Sequence, residues 1–234
     1  MTDKKKIVLI YTGVAVFSVF IFGMSFFLTT LKKKQRDQGP PVADAGKEEV
    51  DVLNLLRQDI VLERQSGETI RISSLHDKVW VAAQYYAACP MCAKRNQESL
   101  VKVYKEFKVE DDFMVACFSV DPENDTSELL KEVRGALEVD ESDWWFLKAA
   151  QRDLWTFMEK QMGFARIEER FDPIHIQQKG RWAHDMRLQI YLGTALVYMW
   201  DAETTPMDRL RDEIREALGE LDELKKMSTT AAAP

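Results

Sequence analysis

The chain has 234 residues, of which 46% are hydrophobic and 30% are charged. This length suits one globular domain of ordinary size with additional segments. The formal net charge of −7, without a basic patch interleaved with aromatic residues, argues against a nucleic acid as partner.

The first element in chain order is an uncharged segment from Ile7 to Leu31. At about 1.5 Å per residue, its roughly 25 residues exceed a hydrocarbon core of about 30 Å and predict a membrane-spanning helix. The segment is longer than the apolar part of a signal peptide and no small-x-small cleavage pattern follows it, which favours an uncleaved anchor. Lysines flank both ends, so charge alone does not predict the orientation. We expect residues 1–34 to be a single transmembrane anchor.

A polar stretch rich in small residues and proline follows the anchor. It covers residues 35–49 and is typical of a flexible linker. The globular domain is therefore expected over residues 50–226. Residues 227–234 are poor in large apolar side chains and are expected to form a disordered tail.

The first half of the domain predicts a strand hairpin and then a β-α-β unit. Residues 60–62 and 69–72 flank Ser66-Gly67, which is typical of a hairpin turn. The run Val79 to Tyr86 predicts a buried strand, and Phe113 to Val120 predicts a second one. Apolar positions between 100 and 107 lie on one side of a helix that joins them. The right-handed crossover of such a unit makes the two strands parallel neighbours in one sheet.

The second half predicts helices and an antiparallel hairpin. Asp125 to Glu128 has the spacing of a capping box, and a further helix is expected from Gln151 to Met162. Leu188 to Leu192 and Ala195 to Trp200 flank a short turn, and Pro206 opens the last helix. This order of elements is the thioredoxin plan. We therefore predict an α/β, thioredoxin-like fold, with a mixed β-sheet flanked by helices, preceded by one N-terminal transmembrane helix.

The motif Cys89-Pro90-Met91-Cys92 follows the first buried strand. If a helix begins near Cys89, this sulfur lies at the positive end of the helix dipole, which favours the thiolate. One turn later, Cys92 is within reach to form a disulfide or to share a soft ion such as Cu(I) or Zn(II). The motif predicts either a redox pair, with Cys89 as nucleophile and Cys92 as resolving thiol, or a metal site. Met91 receives no role, and neither does Cys117, which lies in the second apolar run where a cysteine is usually inert.

Three segments carry a resemblance to a known family. Phe118 to Thr126 contains Ser-Val-Asp-Pro followed by Asp-Thr, Ser74 to Val81 leads into the strand before the cysteines, and Trp144 to Leu147 reads Trp-Trp-Phe-Leu. Together, over roughly residues 60–221, they resemble the Sco/SenC family. These are membrane-anchored, thioredoxin-fold copper chaperones and thiol–disulfide reductants associated with cytochrome c oxidase assembly.

The resemblance implies a copper site made by Cys89, Cys92 and His184, because His184 stands where the family keeps its metal-binding histidine. Cu(I) accepts two thiolates and an imidazole in a soft, low-coordinate site. Without the resemblance, the polar stretch around His184 favours a solvated loop histidine over a metal ligand. His175 is a weaker competitor, and His76 precedes the first core strand at its expected far end.

The resemblance also implies a role around the site for Asp121 and Asp125, which follow the second buried strand. A turn and a helix N-cap account for Asp125 equally well.

The implied function is a membrane-tethered protein that delivers copper or reduces cysteines in cytochrome c oxidase assembly. Its partner would be a cysteine-bearing protein such as an oxidase subunit, and its domain would be extracytoplasmic, in the periplasm or its equivalent. The family has three residues between its cysteines, whereas this chain has two. A membrane-anchored thiol–disulfide oxidoreductase that acts through Cys89 and Cys92 without a metal therefore stays open. A non-catalytic docking domain is disfavoured by the intact cysteines.

Overall fold

The computed structural model describes residues 50–89, 96–201 and 204–231. The expected anchor over residues 1–34, the linker over 35–49 and the second site thiol, Cys92, lie outside these ranges. Within the described ranges, no helix combines the length and the apolar character that a membrane crossing needs.

In these ranges the domain consists of a mixed sheet with helices on both faces. The strands are β1 (Asn54–Leu55), β2 (Val61–Arg64), β3 (Thr69–Arg71), β4 (Val79–Tyr85), β5 (Phe113–Ser119), β6 (Trp144–Lys148), β7 (Glu168–Glu169), β8 (Trp182–Ala183), β9 (Leu188–Leu192) and β10 (Ala195–Trp200). The helices are a 3-10 helix (Ile72–Leu75), α1 (Glu98–Phe107), α2 (Ser127–Leu137), α3 (Gln151–Lys160), α4 (Pro173–Lys179) and α5 (Met207–Ala231).

The main sheet of the described residues has eight strands in the order β1-β10-β9-β4-β5-β6-β2-β3, and β7 pairs with β8 separately. At its centre, β4 and β5 are parallel, with Val79 opposite Phe113. β6 continues this parallel part, while β9 runs antiparallel to β4. Residues 79–84 and 113–119 are all buried, as expected of parallel strands covered on both faces. The predicted β-α-β unit and thioredoxin-like fold are confirmed.

Successive residues of β4 point into two different hydrophobic cores. Val79 and Val81 pack in a core with apolar residues of α1 and α5, whereas Trp80 and Ala82 pack in a core with residues of α3. This alternation follows from the period of two residues along a strand. Trp80 stacks on Tyr191 of β9, with 4.1 Å between ring centroids. The two cores hold the carboxyl ends of β4 and β5 at one edge of the sheet.

Three predicted helix boundaries differ from the structure, the first being the end of α3 at Lys160 instead of Met162. The N-cap of α2 is Thr126, whose side chain accepts a hydrogen bond from the backbone N–H of Leu129 at 3.2 Å. Asp125 is therefore not the N-cap, and its carboxylate has other partners, described below. α5 continues to Ala231, so residues 227–231 are helical where we expected the tail to begin.

Several short elements were not predicted. These are β1, β6, the β7–β8 pair and α4. The sequence does mark α4, since the Asp172 side chain caps the helix, Pro173 occupies its first turn and Gly180 ends it with a φ of 75°.

Candidate functional site

Cys89 lies in a turn directly after β4, as the sequence predicts. Its backbone N–H donates a hydrogen bond to the carbonyl oxygen of Tyr86 at 3.1 Å. The residue is only 2% exposed and it is disulfide-bonded. Because Cys92 lies outside the described residues, its pairing with Cys89 and a helix start at the motif stay predictions.

His184 lies between β8 and β9, and its ring contacts that of Tyr86 edge-on, with 6.1 Å between centroids and 90° between planes. Nδ1 lies 3.0 Å from the carbonyl oxygen of Asp185. A carbonyl oxygen can only accept, so Nδ1 carries the proton and the lone pair of the neutral ring is on Nε2. Burial lowers the pKa of His184, which favours this neutral form. Neutral imidazole is the form that ligates metals.

Tyr86 connects the histidine segment with the cysteine turn. Its hydroxyl oxygen accepts a hydrogen bond from the backbone N–H of Arg181 at 3.1 Å. Its ring lies against Gly180, where an added Cβ would be 2.3 Å from the ring Cε1 atom. Cys89 and His184 therefore both contact Tyr86, one through the backbone and the other through the ring.

Two buried amides hold the backbone next to His184. The Oε1 atom of Gln84, in β4, accepts a hydrogen bond from the N–H of Asp185 at 2.7 Å. The Nδ2 atom of Asn96, just before α1, donates one to the carbonyl oxygen of Met186 at 2.7 Å. The histidine segment is thus attached to elements on either side of the cysteine motif.

Asp125 supports the cysteine turn from the neighbouring strand. Its carboxylate accepts a 2.6 Å hydrogen bond from the hydroxyl of Ser119, at the end of β5, and another from the backbone N–H of Ala87. Burial, with the nearby charge of Asp121, raises the pKa of Asp125 to about 6. Asp121 is itself buried and accepts hydrogen bonds from the side-chain amide of Asn124 at 2.9 and 3.0 Å.

The other candidate residues lie away from this arrangement. His175 is exposed on α4. His76 is exposed at the opposite end of β4, and its backbone borders Gly193 in the β9–β10 turn. Cys117 is a buried free thiol in β5, and burial raises its pKa. Within the described residues, which exclude Cys92, no group of three His, Cys, Asp or Glu side chains could hold a metal ion.

The sequence analysis missed Gln84, Tyr86, Asn96, Gly180 and Asp185. One signal was available for Gln84, because it is a single amide in an otherwise apolar and aromatic run. For the others, no local pattern marks the contacts that join them, because Tyr86 and Gly180, and likewise Asn96 and Met186, lie far apart in the chain.

Comparison with known proteins confirms the resemblance found in the sequence. Residues 53–144 match the SCO1/SenC family model. The SCO1 protein homolog of Bacillus subtilis is 28% identical over 106 residues, which cover 45% of this chain and 55% of the homolog. The match thus spans about half the length of that curated relative.

Solved structures share the fold. A SCO1/SenC family lipoprotein from Bacillus anthracis has a TM-score of 0.61 at 20% identity, covering 72% of this chain and 98% of its own. BsSco, a member of the Sco family of cytochrome c oxidase assembly proteins with a disulfide switch, has a TM-score of 0.61 at 22% identity. The match covers 73% of this chain and 98% of BsSco. Arabidopsis thaliana ScoI, solved with copper bound, has a TM-score of 0.54 at 15% identity. The match covers 69% of this chain and 97% of ScoI.

Proposed function

We propose that this chain, whose residues 53–144 match the SCO1/SenC family model, is a membrane-tethered copper-binding protein that delivers copper or reduces cysteines in cytochrome c oxidase assembly. The ligands would be Cys89, Cys92 and His184. The observation that carries the proposal is the contact between the half-buried His184 ring and Tyr86, whose carbonyl oxygen also binds the N–H of Cys89.

The chemistry of the donor set fits copper as cargo. Thiolates and a neutral imidazole are soft ligands that suit Cu(I). Hydrogen bonding of Nδ1 to the Asp185 carbonyl fixes the tautomer of His184, as is usual for metal-ligating histidines. The copper-bound structure of Arabidopsis ScoI supports the same cargo for this chain.

Membrane attachment and the assembly role have separate support. The uncharged segment from Ile7 to Leu31 supports a single-span anchor, and the Bacillus anthracis relative is a lipoprotein. BsSco belongs to a family of cytochrome c oxidase assembly proteins, which supports a cysteine-bearing oxidase subunit as partner. We expect the domain to be extracytoplasmic. Cysteine-accessibility mapping of positions after Gln38 tests this, and labelling from the cytoplasm only would overturn it.

The second candidate is a thiol–disulfide oxidoreductase without a metal, favoured by the disulfide at Cys89 and by the two-residue spacing. In its reducing direction, the Cys89 thiolate attacks a partner disulfide and forms a mixed disulfide, releasing one partner thiolate. The Cys92 thiolate then attacks the Cys89 sulfur, which releases the second partner thiolate and leaves a Cys89–Cys92 disulfide. Two electrons pass from this chain to its partner.

An anaerobic Cu(I) titration of the detergent-solubilised chain separates the two candidates. The unmodified chain should bind one Cu(I), and Cys89→Ser, Cys92→Ser and His184→Ala should each weaken binding by about tenfold or more. His175→Ala is the matched control and should bind like the unmodified chain. His184→Ala should still form and reduce its disulfide, because the dithiol is intact. Unchanged affinity in His184→Ala, or equal loss in His175→Ala, would refute the ligand set. No copper binding by the unmodified chain would leave the oxidoreductase.

A further inference from the structure

An open groove lies beside the proposed site. It is lined by residues of α3, by Arg166 before β7, by Arg181 and Trp182 at β8, and by Glu123 in the turn after β5. Its volume is about 740 Å³, and typical ligand pockets measure about 300–1,000 Å³. The groove is therefore large enough to receive several residues of a bound peptide.

The groove lies at the same edge of the sheet as Cys89. β4, β5 and β6 are parallel neighbours, so their carboxyl ends meet at one edge. Cys89 follows β4 and Glu123 follows β5, while Ala150, which also lines the groove, follows β6. A peptide bound in the groove would thus lie on the side of the domain that carries the thiol.

Two hydrogen-bonded connections join the groove to the residues before Cys89. Nε1 of Trp155, in α3, donates to the carbonyl oxygen of Val120 at 2.9 Å, and the N–H of Val120 donates to the carbonyl oxygen of Tyr85 at 2.7 Å. The N–H of Arg181 donates to the hydroxyl of Tyr86 at 3.1 Å. The groove is thus attached at two points to the end of β4, where the cysteine turn begins.

Two tryptophans give the groove a fixed apolar surface. Trp155 and Trp182 are partly exposed and meet edge-on, with 5.0 Å between ring centroids and 76° between ring planes. The guanidinium carbon of Arg181 lies 5.0 Å from the centroid of the Trp182 ring, and its nitrogen binds Glu169 at 2.7 Å. Tryptophan and arginine are enriched among the residues that dominate the binding energy of protein interfaces. This surface therefore suits a polypeptide partner.

The charge of the groove is opposite to that of the chain. Three arginines and two glutamates line it: Arg152, Arg166, Arg181, Glu123 and Glu159. Their formal charge is +1, whereas the net charge of the whole chain is −7. The groove therefore favours an acidic ligand over a basic one.

Two of these arginines are available to a ligand. Arg152 and Arg166 are exposed and form no ion pair within the described ranges. Glu159 is paired with Lys160 at 2.6 Å, and Arg166 acts on it only at longer range. The planar guanidinium binds carboxylates through two parallel hydrogen bonds. The two free arginines thus match the side chains of an acidic peptide.

We propose that this groove binds an acidic peptide segment of the protein that exchanges copper or electrons with Cys89. Carboxylates of the segment pair with Arg152 and Arg166, and its apolar groups pack on Trp155 and Trp182. The preference for an acidic peptide follows from the groove alone, whereas the assignment of that peptide to the exchange partner rests on the proposed function.

The groove is tested by fluorine NMR of the copper-free, detergent-solubilised chain labelled with fluorotryptophan. The probe is the acetylated peptide amide Glu-Glu-Phe-Glu-Glu. It should shift the signals of Trp155 and Trp182, which Trp155→Phe and Trp182→Phe identify. The signal of Trp200, which packs in the core with α5, should not move. The same peptide with glutamine in place of glutamate should bind about fivefold more weakly, and high salt should weaken binding of the acidic peptide.

Three results of this titration would overturn the proposal. The first is the absence of a shift with the acidic peptide. The second is equal affinity for the glutamine peptide, which would show a groove without a charge preference. The third is equal affinity for N-acetylglutamate amide, which would show a site for a small carboxylate instead of a peptide.

A matched pair of double variants tests the role of the arginines. Arg152→Gln with Arg166→Gln should weaken binding of the acidic peptide by about fivefold to tenfold. Lys108→Gln with Lys131→Gln removes the same charge at the end of α1 and in α2, which pack on the opposite face of the sheet from α3. This control should bind like the unmodified chain. Equal losses in the two double variants would mean that net charge, and not the groove, attracts the peptide.

The partner role is tested with the same two peptides extended by Gly-Gly-Cys and joined as symmetric disulfide dimers. The reduced chain attacks a dimer through the Cys89 thiolate and releases one peptide thiolate. Cys92 then releases the second, and two electrons pass to the dimer. Relative to the rates with dithiothreitol, the acidic dimer should be reduced about fivefold faster than the glutamine dimer. Equal rates would overturn the partner role.

The groove and the copper function fail separately. Peptide binding by a chain that binds no copper would refute the copper function alone. Copper binding by a chain that does not bind the acidic peptide would refute the groove alone.

Discussion

The imidazole of His184 packs edge-on against the ring of Tyr86 at a centroid distance of 6.1 Å. Tyr86 also accepts the backbone hydrogen bond of Cys89 and contacts Gly180. One aromatic residue thus connects the strand end, the cysteine turn and the histidine segment. A substitution that moves this ring should therefore change both the free energy of unfolding and the environment of the His184 imidazole.

We expect His184 to titrate below 6.5, because burial disfavours its charged form. Between its folded pKa and 6.5, the unfolded chain binds more protons than the folded chain, so this group's contribution to the free energy of unfolding falls as the pH falls. The contribution is fully present above pH 6.5. NMR titration of the His184 ring and urea unfolding between pH 5 and 7.5 measure both effects. A His184→Gln variant that unfolds with the same pH dependence as the unmodified chain would contradict this expectation.

Gly180→Ala should destabilise the fold more than Gly67→Ala. Both glycines have positive φ angles, 75° and 90°, but an added Cβ meets the Tyr86 ring at 2.3 Å only at Gly180. We expect a loss of about 1 kcal/mol for Gly67→Ala from backbone strain alone. Gly180→Ala adds an overpacking cost of about 1–3 kcal/mol. Urea unfolding measures both losses.

A double-mutant cycle separates the ring contact from backbone strain at Gly180. Tyr86→Leu should reduce the loss caused by Gly180→Ala, because it removes the ring that the new methyl group meets. If the loss is the same in both backgrounds, the contact with Tyr86 contributes nothing.

The sequence predicted the elements whose signals are local. β4, β5, α1, the β9–β10 hairpin and the start of α5 follow from apolar periodicity and turn residues. The capping-box spacing predicts Asp125 as the N-cap of α2, one residue before the observed N-cap, Thr126. The Asp125 carboxylate instead accepts hydrogen bonds from Ser119 and from the backbone of Ala87, and only folding brings these groups together. The same applies to Gln84, whose partner Asp185 is 101 residues away. Periodicity carries no information about such pairs.

We expect Cys117 to be unreactive in the native chain. It is a buried free thiol of β5, and burial raises its pKa, so little thiolate forms near neutral pH. After reduction, iodoacetamide should label Cys89 first, and Cys117 only when denaturant is added. Mass spectrometry of the labelled peptides measures the order. Labelling of Cys117 before Cys89 without denaturant would show that β5 is exposed or that the motif lacks an activated thiol.

Asp125→Asn should change the pH dependence of stability between pH 4 and 7. Burial raises the pKa of Asp125 from 3.8 to about 6, so in this window the folded chain binds more protons than the unfolded chain. The contribution of Asp125 to the free energy of unfolding therefore decreases as the pH rises, by at most about 3 kcal/mol. Asn mimics the protonated carboxyl, so the variant should lack this decrease in urea unfolding measured at each pH.

Asp112→Asn is the control with the opposite sign. The hydrogen bond from Lys225, at 2.7 Å, lowers the pKa of Asp112, so its contribution is present above pH 3.8 and is lost as the pH falls. Asp112→Asn should therefore lower stability at pH 7, whereas Asp125→Asn should maintain or raise it. Equal pH profiles for the unmodified chain and Asp125→Asn would mean that Asp125 ionises in the folded chain as it does in the unfolded one. Asp125 would then lose its proton near its ordinary pKa of 3.8, and the acceptor of the Ala87 hydrogen bond would be the charged carboxylate over nearly all of the range from pH 4 to 7.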